Sequence, residues 1–143
     1  MLDLTGVRDV NEGAIGKLSG AIRSHEIHFN FNDSLPAPGQ DAVLDQLAQE
    51  LNDLASLASA MQVSARVTLT GHSDDAGSGT FNLSLSLARA EAVRALLKKR
   101  GVDPDLLAVR GAGQLEPLEA ASSEAARSAN RRVSFKVGIE EQR

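Results

Sequence analysis

Apolar positions along the chain follow two rhythms, one near the helical repeat and one of strict alternation, and the two take turns. Val7, Val10, Ala14, Leu18 and Ile22 recur at three- and four-residue intervals, an amphipathic helix pattern that Gly13 and Gly16 weaken. In EIHFNF, residues 26–31, Ile27, Phe29 and Phe31 share one side and His28 and Asn30 the other, which predicts a half-buried strand. DSLPAPG, residues 33–39, is turn chemistry with two prolines. From Asp41 a long helix runs through Leu44, Leu47, Leu51, Leu54 and Ala58, with Asp41 favourable to the dipole in its first turn. ARVTLTG, 65–71, alternates again. Leu85, Ala88, Ala92 and Leu96 then mark a second long helix from Asn82 to Arg100, ending on Lys98, Lys99 and Arg100 before Gly101. LLAVRG, 106–111, reads as a third strand, an Ala/Ser-rich stretch after Pro117 as a short helix, and RVSFKV, 132–137, as the last strand.

This order, strand, helix, strand, helix, strand, short helix, strand, predicts a two-layer α+β domain with two long helices on one face of the sheet. The N-terminal helical pattern reads as a peripheral helix or linker packed on the domain, with a connection to an upstream domain or membrane anchor as the sharper alternative.

Composition narrows the chemistry. The 143 residues suffice for one domain with its own core. Four Phe, with no Trp or Tyr, leave little for stacking on bases or sugars, and a net charge of −4 argues against a nucleic-acid surface. Absence of cysteine excludes disulfides, thiolate metal sites and thiol catalysis. No apolar run approaches the ~18 residues that span a bilayer.

Candidate chemistry concentrates in GHSDDAGSGTFNLSLSLARA, residues 71–90. Asp74 and Asp75 are adjacent, so their side chains point apart and make a poor acid–base pair. His72 with the two aspartates lacks the spacing of a metal site. Ser73 is not framed as a nucleophile elbow. GAGQLE, 111–116, fails the dinucleotide-binding glycine pattern. Geometry remains. With Asn82 opening a helix, Asn82, Ser86 and Arg89 lie along one polar edge that starts near the turn carrying Asp74. Gly77 and Gly79 let that turn approach a ligand closely. A carboxylate and a guanidinium facing one pocket suit a zwitterionic amino-acid end, the ammonium on Asp74 and the carboxylate on the fork of Arg89. An internal Asp74–Arg89 salt bridge fits the same spacing equally well.

Residues 71–90 resemble the G-H-T-D-x-x-G-x-x-x-Y-N-x-x-L-S-x-x-R-A motif of OmpA-like peptidoglycan-binding domains. Gly71, His72, Asp74, Gly77, Asn82, Leu85, Ser86, Arg89 and Ala90 are in register. HFNFNDSLPAPG looks like that family's first strand and turn, VRGAGQLEP like its V-x-G-x-G-x-x-x-P strand end, and ARSANRRVSFKV like its A-R-x-x-N-R-R-V ending. Ser73 stands where the family has Thr, Phe81 where it has Tyr, and Asn32 where some relatives carry Asp.

The resemblance implies a βαβαββ fold, its helices on one face of a mixed four-stranded sheet, with an extra N-terminal helix. It divides the chain into a helical extension or linker at 1–24, the domain at 25–138 and a flexible tail at 139–143. It further implies a non-enzymatic periplasmic or envelope domain without cofactor or metal. Such a domain binds peptidoglycan noncovalently at the meso-diaminopimelate of the stem peptide and belongs to a parent protein anchored in a membrane through parts outside this chain. The ligand residues it implies are Asp74 and Arg89, with Asn82, Ser73, Gly77, Asn32 and Arg131 around them. The alternative is the same fold used as a protein–protein or dimerisation module in a secretion or motility complex, which keeps a homodimer open.

Overall fold

Val63, Val67 and Leu69 are buried while Ser64 and Arg66 are exposed, and this alternation gives the central strand β2 (Val63–Gly71) its two faces. The computed structural model describes residues 5–120 and 122–141, the side chains of 5–12 excepted. Four strands form one mixed sheet in the order β1-β4-β2-β3. β2 pairs in parallel with β3 (Leu107–Gly111) and antiparallel with β4 (Arg132–Glu141); β4 in turn pairs antiparallel with β1 (Ile27–His28).

The helices α2 (Asp41–Ala60) and α3 (Gly79–Lys99) press Leu44, Leu47, Leu51, Leu54, Val93 and Leu97 onto the side of the sheet carrying Val67, Leu69, Val133 and Phe135. The two-layer α+β architecture is therefore the one expected. Helix α1 (Thr5–Ser24) is packed on the domain, as the first of the two readings of the N-terminal stretch has it. It packs on α2 and β4, buries Ile15 and Ile22 in the same core, and is tied at its end by His25 Nε2 to Glu50 Oε1 at 2.7 Å. Val7 and Val10 of the expected apolar stripe lie outside the described side chains.

Three boundaries differ from the sequence reading. The first strand stops at His28, because the chain turns at Asn30–Asp33 with Asn32 at φ 58°, and Phe31 ends 59% exposed. Gln40 takes over the edge, accepting from His28 N–H at 2.7 Å and donating to its carbonyl at 2.8 Å. Helix α3 starts at Gly79 rather than Asn82, since the hydroxyl of Ser78 caps it by accepting from Phe81 N–H at 3.2 Å. The last strand runs on to Glu141: Ile139, Glu140 and Glu141 pair with Ala65, Ser64 and Val63, so no tail begins at 139. Gly101, at φ 90°, closes α3 in the left-handed conformation the sequence predicts.

Candidate functional site

Two glycines bring α3 close to the ends of β2 and β3. A Cβ on Gly71 would stand 1.7 Å from the Ser86 carbonyl oxygen, and one on Gly111 would stand 2.8 Å from both Leu87 N and Ser86 Oγ. Ser86 fills the contact, its hydroxyl donating to Leu83 O and accepting from Gly113 N–H, each at 2.8 Å. Asn82, Ser86 and Arg89 thus form the expected edge, but all three are buried, at 2%, 0% and 1% exposure.

Asn82 faces the turn after β2. Its Nδ2 reaches Ala76 O at 2.8 Å, Gln114 Oε1 at 2.9 Å and, more weakly, Asp74 O at 3.3 Å. Gly77, at φ 82°, lets the turn close over it. Ser73 is buried and donates through its hydroxyl to Asp74 O at 3.1 Å. These residues shape the turn through hydrogen bonds within the chain.

Arg89 lies under the loop that follows β1. Its Nε donates to Asp33 O at 2.8 Å, Nη1 to His72 O at 2.9 Å and Nη2 to Asn30 O at 3.1 Å, and its guanidinium carbon sits 5.1 Å from the centre of the Phe29 ring. Burial lowers its pKa to about 10, against the opposing attraction of Asp74, so it stays charged at neutral pH. The carboxylate of Asp74 pairs with another arginine. Oδ1 accepts from Ala76 N–H at 2.9 Å and Oδ2 from Arg131 Nη1 at 3.1 Å, both side chains of that ion pair being almost wholly enclosed. Arg131 further donates to Phe29 O at 3.1 Å and to Glu124 Oε1 at 3.2 Å. The internal Asp74–Arg89 salt bridge left open by the sequence is therefore not the arrangement found. Arg89 is itself buried, because the core of the 30–33 turn is built on it.

The structure brings Asp74, Ser73, Asn82, Gly77, Arg89 and Arg131 into one region, where Arg131 pairs with the Asp74 carboxylate and Arg89 lies near enough to feel its charge. Asn32 stays apart, exposed at the tip of the turn, and it is the carbonyls of its neighbours Asn30 and Asp33 that reach Arg89. The sequence reading missed Gln114 and the pair formed by Arg127 Nε and Asp75 Oδ1 at 2.9 Å, which ties α4 (Glu124–Asn130) to the turn. Asn130 holds the preceding loop: Oδ1 accepts from Leu118 N–H and Glu119 N–H, and Nδ2 donates to Glu119 O. A cavity of about 160 Å³ opens beside the turn, lined by Ser73, Asp75, Gln114, Pro117, Glu119 and Asn130. A larger concavity of about 630 Å³ lies on the far ends of β2 and β4, around Arg66 and Lys136, and contains no predicted site residue.

Residues 37–131 match the OmpA family. The chain belongs to that family. Over 109 residues it is 31% identical to outer membrane protein A of Bordetella avium, covering 76% of this chain and 52% of that protein. Over 117 residues it is 31% identical to the peptidoglycan-binding protein ArfA of Mycobacterium tuberculosis, covering 82% of this chain and 33% of that protein. This OmpA-family chain thus spans about half the length of the first relative and a third of the second. The peptidoglycan-associated lipoprotein of Burkholderia pseudomallei has the same fold, with a TM-score of 0.70 at 26% identity over 79% of this chain and 89% of that one. The C-terminal domain of Helicobacter pylori MotB shares the fold at TM-score 0.69 and 20% identity, over 80% and 84% of the two chains. No helix among the described residues is long and apolar enough to cross a membrane.

Proposed function

We propose that this OmpA-family domain binds peptidoglycan noncovalently, without catalysis, through the free amino-acid end of meso-diaminopimelate, and so holds an envelope protein to the wall. The observation that carries the reading is the buried carboxylate of Asp74 set between Arg131 and the region of Arg89, in a domain whose relatives are named for peptidoglycan association. The ammonium of the ligand meets Asp74, whose two oxygens each hold one contact and have lone pairs to spare. Its carboxylate meets the guanidinium groups. Arg89 spends one N–H from each nitrogen on a carbonyl, leaving two of its five, and Arg131 completes the positive wall.

Cosedimentation with purified sacculi tests this. Wild-type protein should pellet with diaminopimelate-type walls and largely ignore lysine-type walls, because lysine lacks the second carboxylate. Asp74→Asn, which keeps the shape and removes the charge, should weaken binding about ten- to a hundredfold. Equal pelleting with both wall types would refute the diaminopimelate contact, and no pelleting with either would refute wall binding.

A further inference from the structure

Successive residues of a strand point to opposite faces, and at the start of β4 this separates two neighbouring arginines. Arg131 turns to Asp74 under the helices, while Arg132 turns to the outer face of the sheet. There the sheet is solvated along most of its length, yet Thr70, His72 and Arg132 are only 6%, 3% and 7% exposed. They are covered by side chains of the same face and by the loop after β3. Arg110 Nη1 reaches Thr70 Oγ1 at 3.3 Å, and both its terminal nitrogens hold the Glu116 carboxylate, the shorter contact being 2.7 Å. The Glu116 carbonyl accepts from Arg132 Nη2 at 3.3 Å. His72 Nε2 lies 2.8 Å from Ser134 Oγ.

Inside this cluster, His72 Nδ1 and Arg132 Nε and Nη1 are buried with no hydrogen-bond partner. Arg132 Nε lies 3.2 Å from Glu26 Oε2, an ion pair that does not make a hydrogen bond. Buried guanidinium donors are seldom left unused, because each has lost its water without a replacement acceptor.

We propose that this cluster is an oxyanion site, separate from the wall-binding region, that takes a carboxylate or phosphate on Arg132, Arg110 and His72 and is closed in the free protein by Glu116. Charge balance favours the exchange. Arg110 and Arg132 face Glu116 and Glu26, so withdrawing the Glu116 carboxylate leaves one net positive charge, which a monoanion neutralises. The His72 ring serves the same ligand: with Nε2 accepting from the Ser134 hydroxyl, Nδ1 carries the proton and donates. The plug moves at small cost. The Arg110–Glu116 pair is half-exposed and such pairs contribute little, so the Glu116 side chain can swing out while its loop stays anchored by Ser86 at 113, Asn82 at Gln114 and Asn130 at 118–119.

The test is an NMR titration of the full chain with inorganic phosphate and, separately, acetate at fixed ionic strength, following the Arg132 Nε–H and His72 ring signals. A plug that must move before the anion enters reduces apparent affinity by the fraction open, so Glu116→Gln should bind several-fold tighter. Saturable shifts with phosphate alone assign a phosphate-bearing ligand, and shifts with both anions assign carboxylates as well. Glu116 is at the surface, so the variant should keep its backbone spectrum. Absence of saturable shifts in Glu116→Gln with either anion would overturn the proposal, as would equal affinity in variant and wild type.

Discussion

Arg89 has five N–H donors in a rigid plane, and three backbone carbonyls converge on it, two from the 30–33 turn and one from His72. Spacing placed it on the right edge of a helix, and the family motif named it as a ligand contact. Its structural role was not legible, because the acceptors are carbonyls of Asn30, Asp33 and His72, and any residue carries a carbonyl. We expect Arg89→Ala to cost about 3–5 kcal/mol in stability, since the carbonyls lose their donor in a partly buried place. Arg89→Lys should recover little of this, as one ammonium cannot span the three directions. Urea denaturation measures both. A loss below about 1 kcal/mol for the alanine variant would show that solvent satisfies the 30–33 turn without the arginine.

Among elements, the contact of α3 with the ends of β2 and β3 positions the site. It depends on side chains that are missing. Gly71 and Gly111 sit where a methyl would meet the Ser86 carbonyl or the Leu87 amide, so the helix lies against bare strand backbone. Gly71→Ala should therefore destabilise by about 3 kcal/mol or more, and Gly111→Ala by less, about 1–3 kcal/mol, its clashes being milder. Both would also displace Asn82 and loosen the turn bearing Asp74. Chemical denaturation checks the ranking, and a Gly71→Ala protein as stable as wild type would show that α3 can shift without cost. At this scale the sequence was informative about existence and kind: both long helices, the β3 strand and the last strand lie where periodicity put them. Boundaries were less legible. The Ser78 cap moved the start of α3, and the Asn30–Asp33 turn cut the first strand short after two residues.

For the whole molecule, the sheet has one face under helices and one open, and the buried histidine on the open face links stability to pH. Burial, helped by Arg132 and Arg110 and opposed by Glu116, lowers the His72 pKa from 6.5 to about 4. Between those values the folded protein keeps the ring neutral while the unfolded chain takes up the proton. Stability contributed by this group is thus full above pH 6.5 and is lost as pH falls towards 4, by about 3 kcal/mol at most. Denaturation curves at successive pH values should show this slope in wild type and a flatter one in His72→Gln. An unchanged slope in the variant would assign the acid sensitivity to other groups.

Sequence alone determined the fold class, the order of elements and the stretch that carries the candidate site, because hydrophobic periodicity and turn chemistry are local properties and the family motif is a linear one. It also placed Asp74, Asn82, Arg89 and Arg131 on the list of site residues. Only the tertiary structure decided which of them pair. Asp74 takes Arg131, 57 residues away, rather than Arg89, and Arg89 turns to the loop after β1. The same holds for α1, whose amphipathic stripe is compatible with a linker until Ile15 and Ile22 are seen inside the core. The facing of Arg131 and Arg132 onto opposite sides of the sheet likewise needs the register of β4 to be known. Partner choice among charged groups depends on which segments the sheet brings together and on which are dehydrated, and both are properties of the assembled chain rather than of residue spacing.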